Sequence, residues 1–265
     1  MALVVVILAA VLWSSYQNNA KSAGSSAKTA VTGIGPAISP NVVPMSVVSV
    51  TQSDGFYNIQ AEYPQFSGVD PAFNKKISSL INDQIKSFQK ESKDNFDARN
   101  ATMPAGQKPL KSPEQPFDFI ASMTPAQFSP AYVSFMIDIY YFSGGANGID
   151  QIFAFNYDLK NKKEISITDF AGSQAGLDKL ASLAQSQVTS QLQSNGLQID
   201  STLKQMIADG TKSTSDNYSN FTFGYGKLTV YFEQYQAAPG SAGTITTVFY
   251  KSDLDQNSIN SSYLN

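Results

Sequence analysis

The chain has 265 residues and a formal net charge of −3, with 42% hydrophobic and 12% aromatic residues, enough to bury a sizeable core. It contains neither histidine nor cysteine, which excludes Ser-His-Asp and Cys-His catalysis, zinc sites built from these residues, and disulfide bonds. We therefore expect no cofactor and no metal site, and the mildly acidic balance argues against a nucleic-acid partner.

An apolar run, ALVVVILAAVLW, occupies residues 2–13. It is shorter than the roughly 20 residues of a membrane-spanning helix, and no cation precedes it, the first being Lys21. Residues 1–15 are interpreted as a signal peptide or an uncleaved signal anchor, and we favour the anchor. Residues 16–44, rich in Ser, Ala, Gly, Asn and Thr, predict a flexible stalk. This order predicts a single-pass membrane protein with its globular part outside the cytoplasm; secretion is the alternative.

Two strands and a long helix are predicted next. Met45–Gln52 and Phe56–Tyr63 alternate in hydrophobicity around a turn at residues 53–55. Asp70 is placed to cap a helix with Pro71 at its first position, and the helix is expected to reach about Arg99. Its apolar residues recur at helical spacing. They are Phe73, Ile77, Leu80, Ile81, Ile85 and Phe88.

The central stretch predicts an antiparallel meander. Phe117–Met123 is a predicted strand, and Tyr132–Phe142 alternates over its whole length. A turn containing Gly144, Gly145 and Gly148 then leads into the strand Ile152–Asp158. After a polar turn, Glu164–Asp169 predicts a third short strand.

The remaining chain predicts two further helices and the last strands. The helices are placed at Gln174–Gln193 and Asp200–Ala208, and the strands at Phe221–Phe223, Leu228–Tyr235 and Thr244–Tyr250. Strands, a helix, a meander, helices and strands again are typical of an α+β fold. We predict antiparallel sheets with the two main amphipathic helices packed on one face, preceded by the hydrophobic segment and the stalk.

Several motifs resemble a bacterial extracytoplasmic domain family of unknown function. They are the GGA turn, the FNYDL strand, the ISITD segment and the closing hairpin LTVYFEQYQAAPGSAGTITTVFYK at Leu228–Lys251. The family includes the ectodomain of the lysozyme-sensing anti-sigma factor and the non-catalytic N-terminal region of certain peptidoglycan deacetylases. The resemblance covers residues 45–255. Family members usually carry histidine after Gly-Gly-Ala, where this chain has Asn147.

The resemblance implies two adjoining α+β lobes, placed at residues 45–160 and 161–255 with a tail at 256–265. It also implies that loops carry partner recognition. Tyrosine offers rigid contact area of the kind that interfaces favour. The candidate binding residues are therefore Tyr231, Tyr235, Pro239 and Gly240 in the closing hairpin, and Gly144, Gly145 and Asn147 in the glycine turn.

Three functions remain open from the sequence. The first is a non-catalytic, membrane-tethered binding or sensor-type domain whose ligand is a cell-wall glycan or a wall-acting protein such as lysozyme, as the resemblance implies. The second is a carboxylate-based cell-wall hydrolase, which needs two acids about 5–10 Å apart. The third is a structural envelope subunit. The acids in predicted strands are Asp118, Asp138, Glu164 and Glu233, but such residues usually lie on a solvated strand face, so no catalytic residue is assigned.

Overall fold

The computed structural model describes residues 28–30, 43–104, 106–145, 147–254 and 259–264. The predicted anchor and nearly all of the predicted stalk lie outside these ranges. Among the described residues, no helix is both long enough and apolar enough to cross a membrane. The α+β class predicted from the sequence is confirmed.

The described residues form ten strands and four α-helices. The strands are β1 (Lys28–Ala30), β2 (Met45–Ser53), β3 (Tyr57–Phe66), β4 (Phe117–Phe128), β5 (Tyr132–Phe142), β6 (Ile149–Asp158), β7 (Lys163–Glu164), β8 (Phe221–Gly224), β9 (Lys227–Phe232) and β10 (Ile245–Tyr250). The helices are α1 (Pro71–Ala101), α2 (Ile167–Ala171), α3 (Gln174–Ser194) and α4 (Ser201–Gly210). Strands β1 to β7 form one sheet in sequential order, and β8 to β10 form a second with β9 in the middle.

The large sheet is mixed, which corrects the prediction of purely antiparallel sheets. Strands β3 and β4 pair in parallel, with Ile59 opposite Phe119. Helix α1 connects them, and a helical crossover returns the chain to the same end of a sheet, so the next strand runs parallel. All other strand pairs of this sheet are antiparallel.

Helix α1 begins where the sequence predicted. The Asp70 carboxylate accepts a hydrogen bond from the N–H of Ala72, and Pro71 fills the first helical position. The buried stripe of the helix packs on one face of the large sheet. The helix contributes Phe73, Ile77, Ile81, Phe88 and Phe96, and the sheet contributes Ile59, Phe119, Phe135, Ile137 and Ile139, among others.

The second long helix packs elsewhere, so the two main helices do not share one sheet face as predicted. Leu180, Ala184 and Val188 of α3 are fully buried in a separate core with the small sheet. The small sheet supplies its own apolar face, because Phe221, Val230 and Phe249 lie on one side of it and the residues that alternate with them point to the other side. The large sheet therefore packs against α1 and the small sheet against α3, each through its own apolar face.

Two short segments differ from their predicted states. Glu164–Asp169 was expected to be a strand, but only Lys163–Glu164 pairs with β6. Ser166 then caps α2 and exchanges hydrogen bonds with Asp169 in a capping box, which starts a helix. Lys28–Ala30, within the predicted stalk, pairs with β2.

The predicted tail contributes to the small core. Ile259, Tyr263 and Leu264 are buried there, and the Tyr263 ring stacks on Phe170 of α2.

The two sheets meet through one edge of β8. Backbone groups of Phe221 and Phe223 point away from β9 and bond to side chains of the large sheet. Asn156 Nδ2 donates to the Phe221 carbonyl (2.7 Å), and the Phe223 N–H donates to Ser134 Oγ (2.9 Å). Ser134 Oγ in turn donates to Asn156 Oδ1 (2.7 Å). Ser134 is fully buried and Asn156 is 5% exposed, so this bonded group closes the junction against water.

We expect Asn156→Ala to lower the free energy of unfolding by about 1–3 kcal/mol, because it leaves the buried Phe221 carbonyl without its donor. Urea unfolding of the full chain measures this loss. Asn161→Ala is the matched control, since Asn161 is exposed and bonds locally to Asp158. Equal effects of the two changes would contradict the role assigned to the junction.

Candidate functional site

The side of the large sheet away from α1 is only partly covered. In β5, Val133, Phe135, Ile137 and Ile139 face α1, so the alternating residues point to the opposite side. We call the part of this side that carries nine residues of β4, β5 and β6 the open face. Ile152 is buried there (6% exposed), and the other eight residues are partly or fully exposed. The nine residues are Asp118, Ile120, Ser122, Thr124, Met136, Asp138, Tyr140, Asp150 and Ile152.

The small sheet rises from one end of the open face. Strand β8 crosses the large sheet where Gly224 approaches Gln127, Phe223 bonds to Ser134 and Phe221 bonds to Asn156. Phe221 and Phe223 face the small core, which also contacts Tyr132 at the start of β5. The other side of the small sheet therefore faces the open face. That side carries Thr222, Thr229 and Tyr231.

These two surfaces make a concave corner, with the open face as its floor and the Thr222–Thr229–Tyr231 side of the small sheet as its wall. Thr222 and Thr229 are buried, although their side chains point away from the small core. The Tyr231 hydroxyl lies 3.1 Å from Thr222 Oγ1, and burial raises the pKa of Tyr231. Tyr231, predicted from the sequence as a binding residue, thus belongs to the wall.

The floor of the corner is acidic. Asp138 lies opposite Ile152 and Tyr140 lies opposite Asp150, so Asp138 and Asp150 are diagonal neighbours on adjacent strands, where Cα atoms stand about 7–8 Å apart. Asp118, beyond Tyr140 on β4, accepts a hydrogen bond from Asn58 Nδ2 (3.0 Å). None of the nine open-face residues is Lys or Arg.

The environment of Asp138 differs from that of an ordinary surface carboxylate. Its partial burial first, and then the negative charge of Asp150, raise the pKa of Asp138 above its usual 3.8. Both causes disfavour the ionised form, and a cation placed between the two carboxylates would relieve the repulsion. The floor is therefore suited to a positively charged group.

The predicted glycine turn adjoins the far end of the floor. Gly144 has a φ of +91° and lies against the Phe117 ring, where a side chain would collide. Gly148 lies against the Tyr140 ring in the same way. Gly145 and Asn147 are exposed. The turn thus holds Tyr140, which is 37% exposed, beside the acids.

The other predicted loop is not on the floor. Tyr235 is 68% exposed with a φ of +70°, and its ring covers Gly240, beside the exposed Pro239. Gln236 Nε2 donates to the carbonyls of Gly210 (3.1 Å) and Asn217 (3.0 Å), which fixes the loop on the helical side of the small lobe. The structure therefore separates Tyr235, Pro239 and Gly240 from the glycine turn.

Four acids were considered from the sequence, and the structure brings only two of them to the floor. Glu164 pairs with Lys76, and Glu233 accepts a hydrogen bond from Asn220. Sequence reasoning missed Asp150, because its approach to Asp138 depends on the β5–β6 register. Alternation within β5 already put Tyr140 and Asp138 on one face, and this signal could have identified Tyr140.

Metal ligation is not suggested by this arrangement. Across the described ranges, no three Asp or Glu side chains come close enough together to hold a metal ion.

Comparisons with known proteins confirm the resemblance inferred from the sequence. Residues 50–150 match the family model described as deacetylase PdaC, and residues 169–250 match that of a protein of unknown function, DUF3298. The chain is 25% identical over 215 residues to peptidoglycan-N-acetylmuramic acid deacetylase PdaC of Bacillus subtilis. This alignment covers 79% of the chain but 41% of that protein, so the chain spans less than half the length of this relative.

Two solved structures are similar to this chain. A DUF3298 family member from Bacteroides fragilis has a TM-score of 0.54 at 15% identity, covering 80% of this chain and 92% of that one. A DUF3298 family protein from Pseudomonas aeruginosa has a TM-score of 0.48 at 16% identity, covering 82% and 94%. At 15% identity, the first similarity is one of fold. The chain is thus a PdaC- and DUF3298-like α+β protein distantly related to a peptidoglycan deacetylase.

Because the folded-state pKa of Asp138 is raised, the folded chain binds the proton of this carboxyl more tightly than the unfolded chain does. This contribution to stability is fully present below pH 3.8 and is lost as the pH rises through the folded-state pKa. We expect Asp138→Asn to be more stable than the original chain near pH 7, with a smaller difference near pH 3. Urea unfolding at both pH values measures it, with the exposed Asp83→Asn as control. A stability difference between Asp138→Asn and the original chain that is the same at both pH values would contradict the raised pKa of Asp138.

Proposed function

We propose that this protein is a non-catalytic, extracytoplasmic binding domain whose ligand docks in the corner between the two sheets. The observation that carries the proposal is the acidic, partly open floor beneath the Tyr231 wall. Asp118, Asp138 and Asp150 share this floor, and none of the nine residues named on it is Lys or Arg. A surface of one sign steers and orients a partner of the opposite sign.

Charge complementarity favours a basic protein as the partner. Wall-acting proteins such as lysozyme, which the sequence resemblance implied, are the proposed class. A cell-wall glycan is the alternative ligand of the same binding function. An anionic glycan would meet repulsion at this floor, whereas Lys or Arg side chains would meet attraction.

The proposed location is outside the cytoplasm, with the apolar run at residues 2–13 as a membrane anchor or, alternatively, as a secretion signal. The B. subtilis relative is named as an enzyme that acts on peptidoglycan. We infer that the portion it shares with this chain serves recognition at the envelope. The absence of histidine and cysteine from the present sequence supports a non-catalytic role for this portion.

A carboxylate-based hydrolase is the second candidate, and the pair Asp138 and Asp150 favours it. Their diagonal placement falls in the range of separations that glycosidases use, about 5–9.5 Å, and the raised pKa of Asp138 suits a general acid. The floor, however, lies on an open sheet surface. Two grooves of the described residues, one between α3 and α4 and one between α1 and β6, are lined by neither Asp nor Glu.

The test is calorimetric titration of the full chain with a basic lysozyme and, separately, with soluble peptidoglycan fragments, while fragment cleavage is followed in the same samples. We expect saturable, salt-sensitive lysozyme binding without cleavage. Asp138→Asn combined with Asp150→Asn should weaken binding about tenfold, or about 1.4 kcal/mol.

The matched control is Asp83→Asn combined with Asp94→Asn. It changes the net charge equally on the exposed side of α1, where both acids pair with lysines. Equal weakening by both double variants would assign the effect to overall charge and overturn the proposed site. Cleavage of the fragments that disappears with Asp138→Asn would establish the hydrolase instead.

A further inference from the structure

Strand β6 has an unpaired edge next to the acidic floor. Its even-numbered residues direct their backbone groups away from β5, as shown by the bonds of the Ala154 N–H to Asn220 and of the Asn156 carbonyl to Ile165. Strand β7 pairs only with Tyr157 and Asp158. Within the described residues, no hydrogen bond reaches the outward N–H or C=O of Asp150 or Ile152.

An apolar groove runs beneath this edge on the α1 side. It has a volume of about 270 Å³. Its lining residues are Lys76, Ser79 and Leu80 of α1, Phe153, Ala154 and Phe155 of β6, and Asn220. The Lys76 ammonium is paired with Glu164 at 2.5 Å, so the free lining of the groove is largely aliphatic and aromatic.

An unsatisfied acceptor lies on the same side of β6 as Phe153. The side-chain carbonyl oxygen of Gln151 is buried and accepts no hydrogen bond from any described residue. A buried acceptor without a donor costs free energy. The parts of the edge available to a partner are its backbone groups and the apolar groove.

The two sides of the edge select different side chains. A strand added to β6 would place alternate residues on opposite sides of the extended sheet. The residue opposite Ile152 would lie on the open face beside Asp138 and Asp150, where a basic side chain is favoured. The residue opposite Phe153 would lie over the groove, where an apolar side chain is favoured.

We propose that the β6 edge from Asp150 to Ala154 binds an extended peptide segment of alternating basic and apolar residues as an additional strand. The main chain of this segment pairs with Asp150 and Ile152, its basic side chains face the acidic floor, and one apolar side chain fills the groove. The inference rests on the proposed binding function and specifies how a basic partner engages the same floor.

The first test uses a synthetic, capped peptide of alternating lysine and valine, about seven residues long, which is a typical strand length. Its affinity for the full chain is measured by fluorescence anisotropy. Asp150→Pro removes both the charge and the outward N–H, whereas Asp150→Asn removes only the charge. The N–H of residue 150 does not bond to β5, so proline is compatible with this edge strand.

We expect Asp150→Asn to weaken peptide binding a few-fold and Asp150→Pro to weaken it about tenfold further, because only the proline removes the backbone bond. Amide hydrogen exchange of the unsubstituted chain should show new protection at Asp150 and Ile152 when the peptide is bound. Equal affinities of the two variants, or binding without this protection, would overturn strand addition.

The second test fills the groove. Ser79→Trp places a large ring among the lining residues, whereas Ser78→Trp makes the same change on the neighbouring residue, which is not part of the lining. We expect Ser79→Trp alone to weaken peptide binding about tenfold or more. Equal effects of both tryptophans would exclude the groove as the subsite of the apolar side chain.

Failure of this inference is distinguishable from failure of the proposed function. Suppose that a basic lysozyme binds through Asp138 and Asp150. If Asp150→Pro then binds peptide and lysozyme as tightly as Asp150→Asn does, and Ser79→Trp as tightly as Ser78→Trp does, strand addition is wrong and the acidic site stands. If the lysozyme does not bind but the peptide does, with protection of the edge amides, the strand site stands without that partner.

Discussion

The edge of β8 on the large sheet is the contact on which the rest of this structure depends. A strand edge carries N–H and C=O groups that must be paired once they are buried. Here Ser134 and Asn156 pair them and also bond to each other, so two side chains substitute for a neighbouring strand. The small sheet can therefore cross the large sheet without leaving the backbone groups of the β8 edge unpaired. The corner between the sheets follows directly from this crossing.

The other edges of the two sheets are managed in different ways. At β10, the Gln187 amide bonds to both the N–H and the C=O of Val248, and Gln191 donates to the Thr246 carbonyl, so α3 covers that edge. At β6, Asn220 and β7 satisfy only the part from Ala154 onward. The β10 edge is thus covered by glutamine side chains, whereas the β6 edge at Asp150 and Ile152 is left open beside an acidic surface.

The corner combines the two regions that match different families. The three acids of its floor, Asp118, Asp138 and Asp150, lie within the PdaC match at residues 50–150, and its wall, Thr222 to Tyr231, lies within the DUF3298 match at residues 169–250. Neither region by itself would form the concave surface. Binding at the corner would therefore depend on both regions being joined in the arrangement that the β8 contact fixes, which makes their relative position part of the site.

Much of the local structure was determined by the sequence alone. The alternation of Tyr132–Phe142, the stripe of α1 and its Asp70–Pro71 start predicted these elements correctly, because side-chain periodicity and capping are short-range effects. The lack of histidine and cysteine also excluded Ser-His-Asp and Cys-His catalysis and disulfide bonds from the sequence alone. The candidate loops were also recognisable from glycine and tyrosine content, although only Tyr231 and the glycine turn prove to adjoin the corner.

Tertiary structure alone decided how these elements combine. The parallel pairing of β3 with β4 and the packing of α3 on its own sheet depend on contacts between residues that are distant in sequence. The pairing of Asp138 with Asp150 required the β5–β6 register, since a shift of one residue would move Asp150 to the other face. Register and edge contacts are set by packing across the whole molecule, and for that reason the site could be described only from the folded chain.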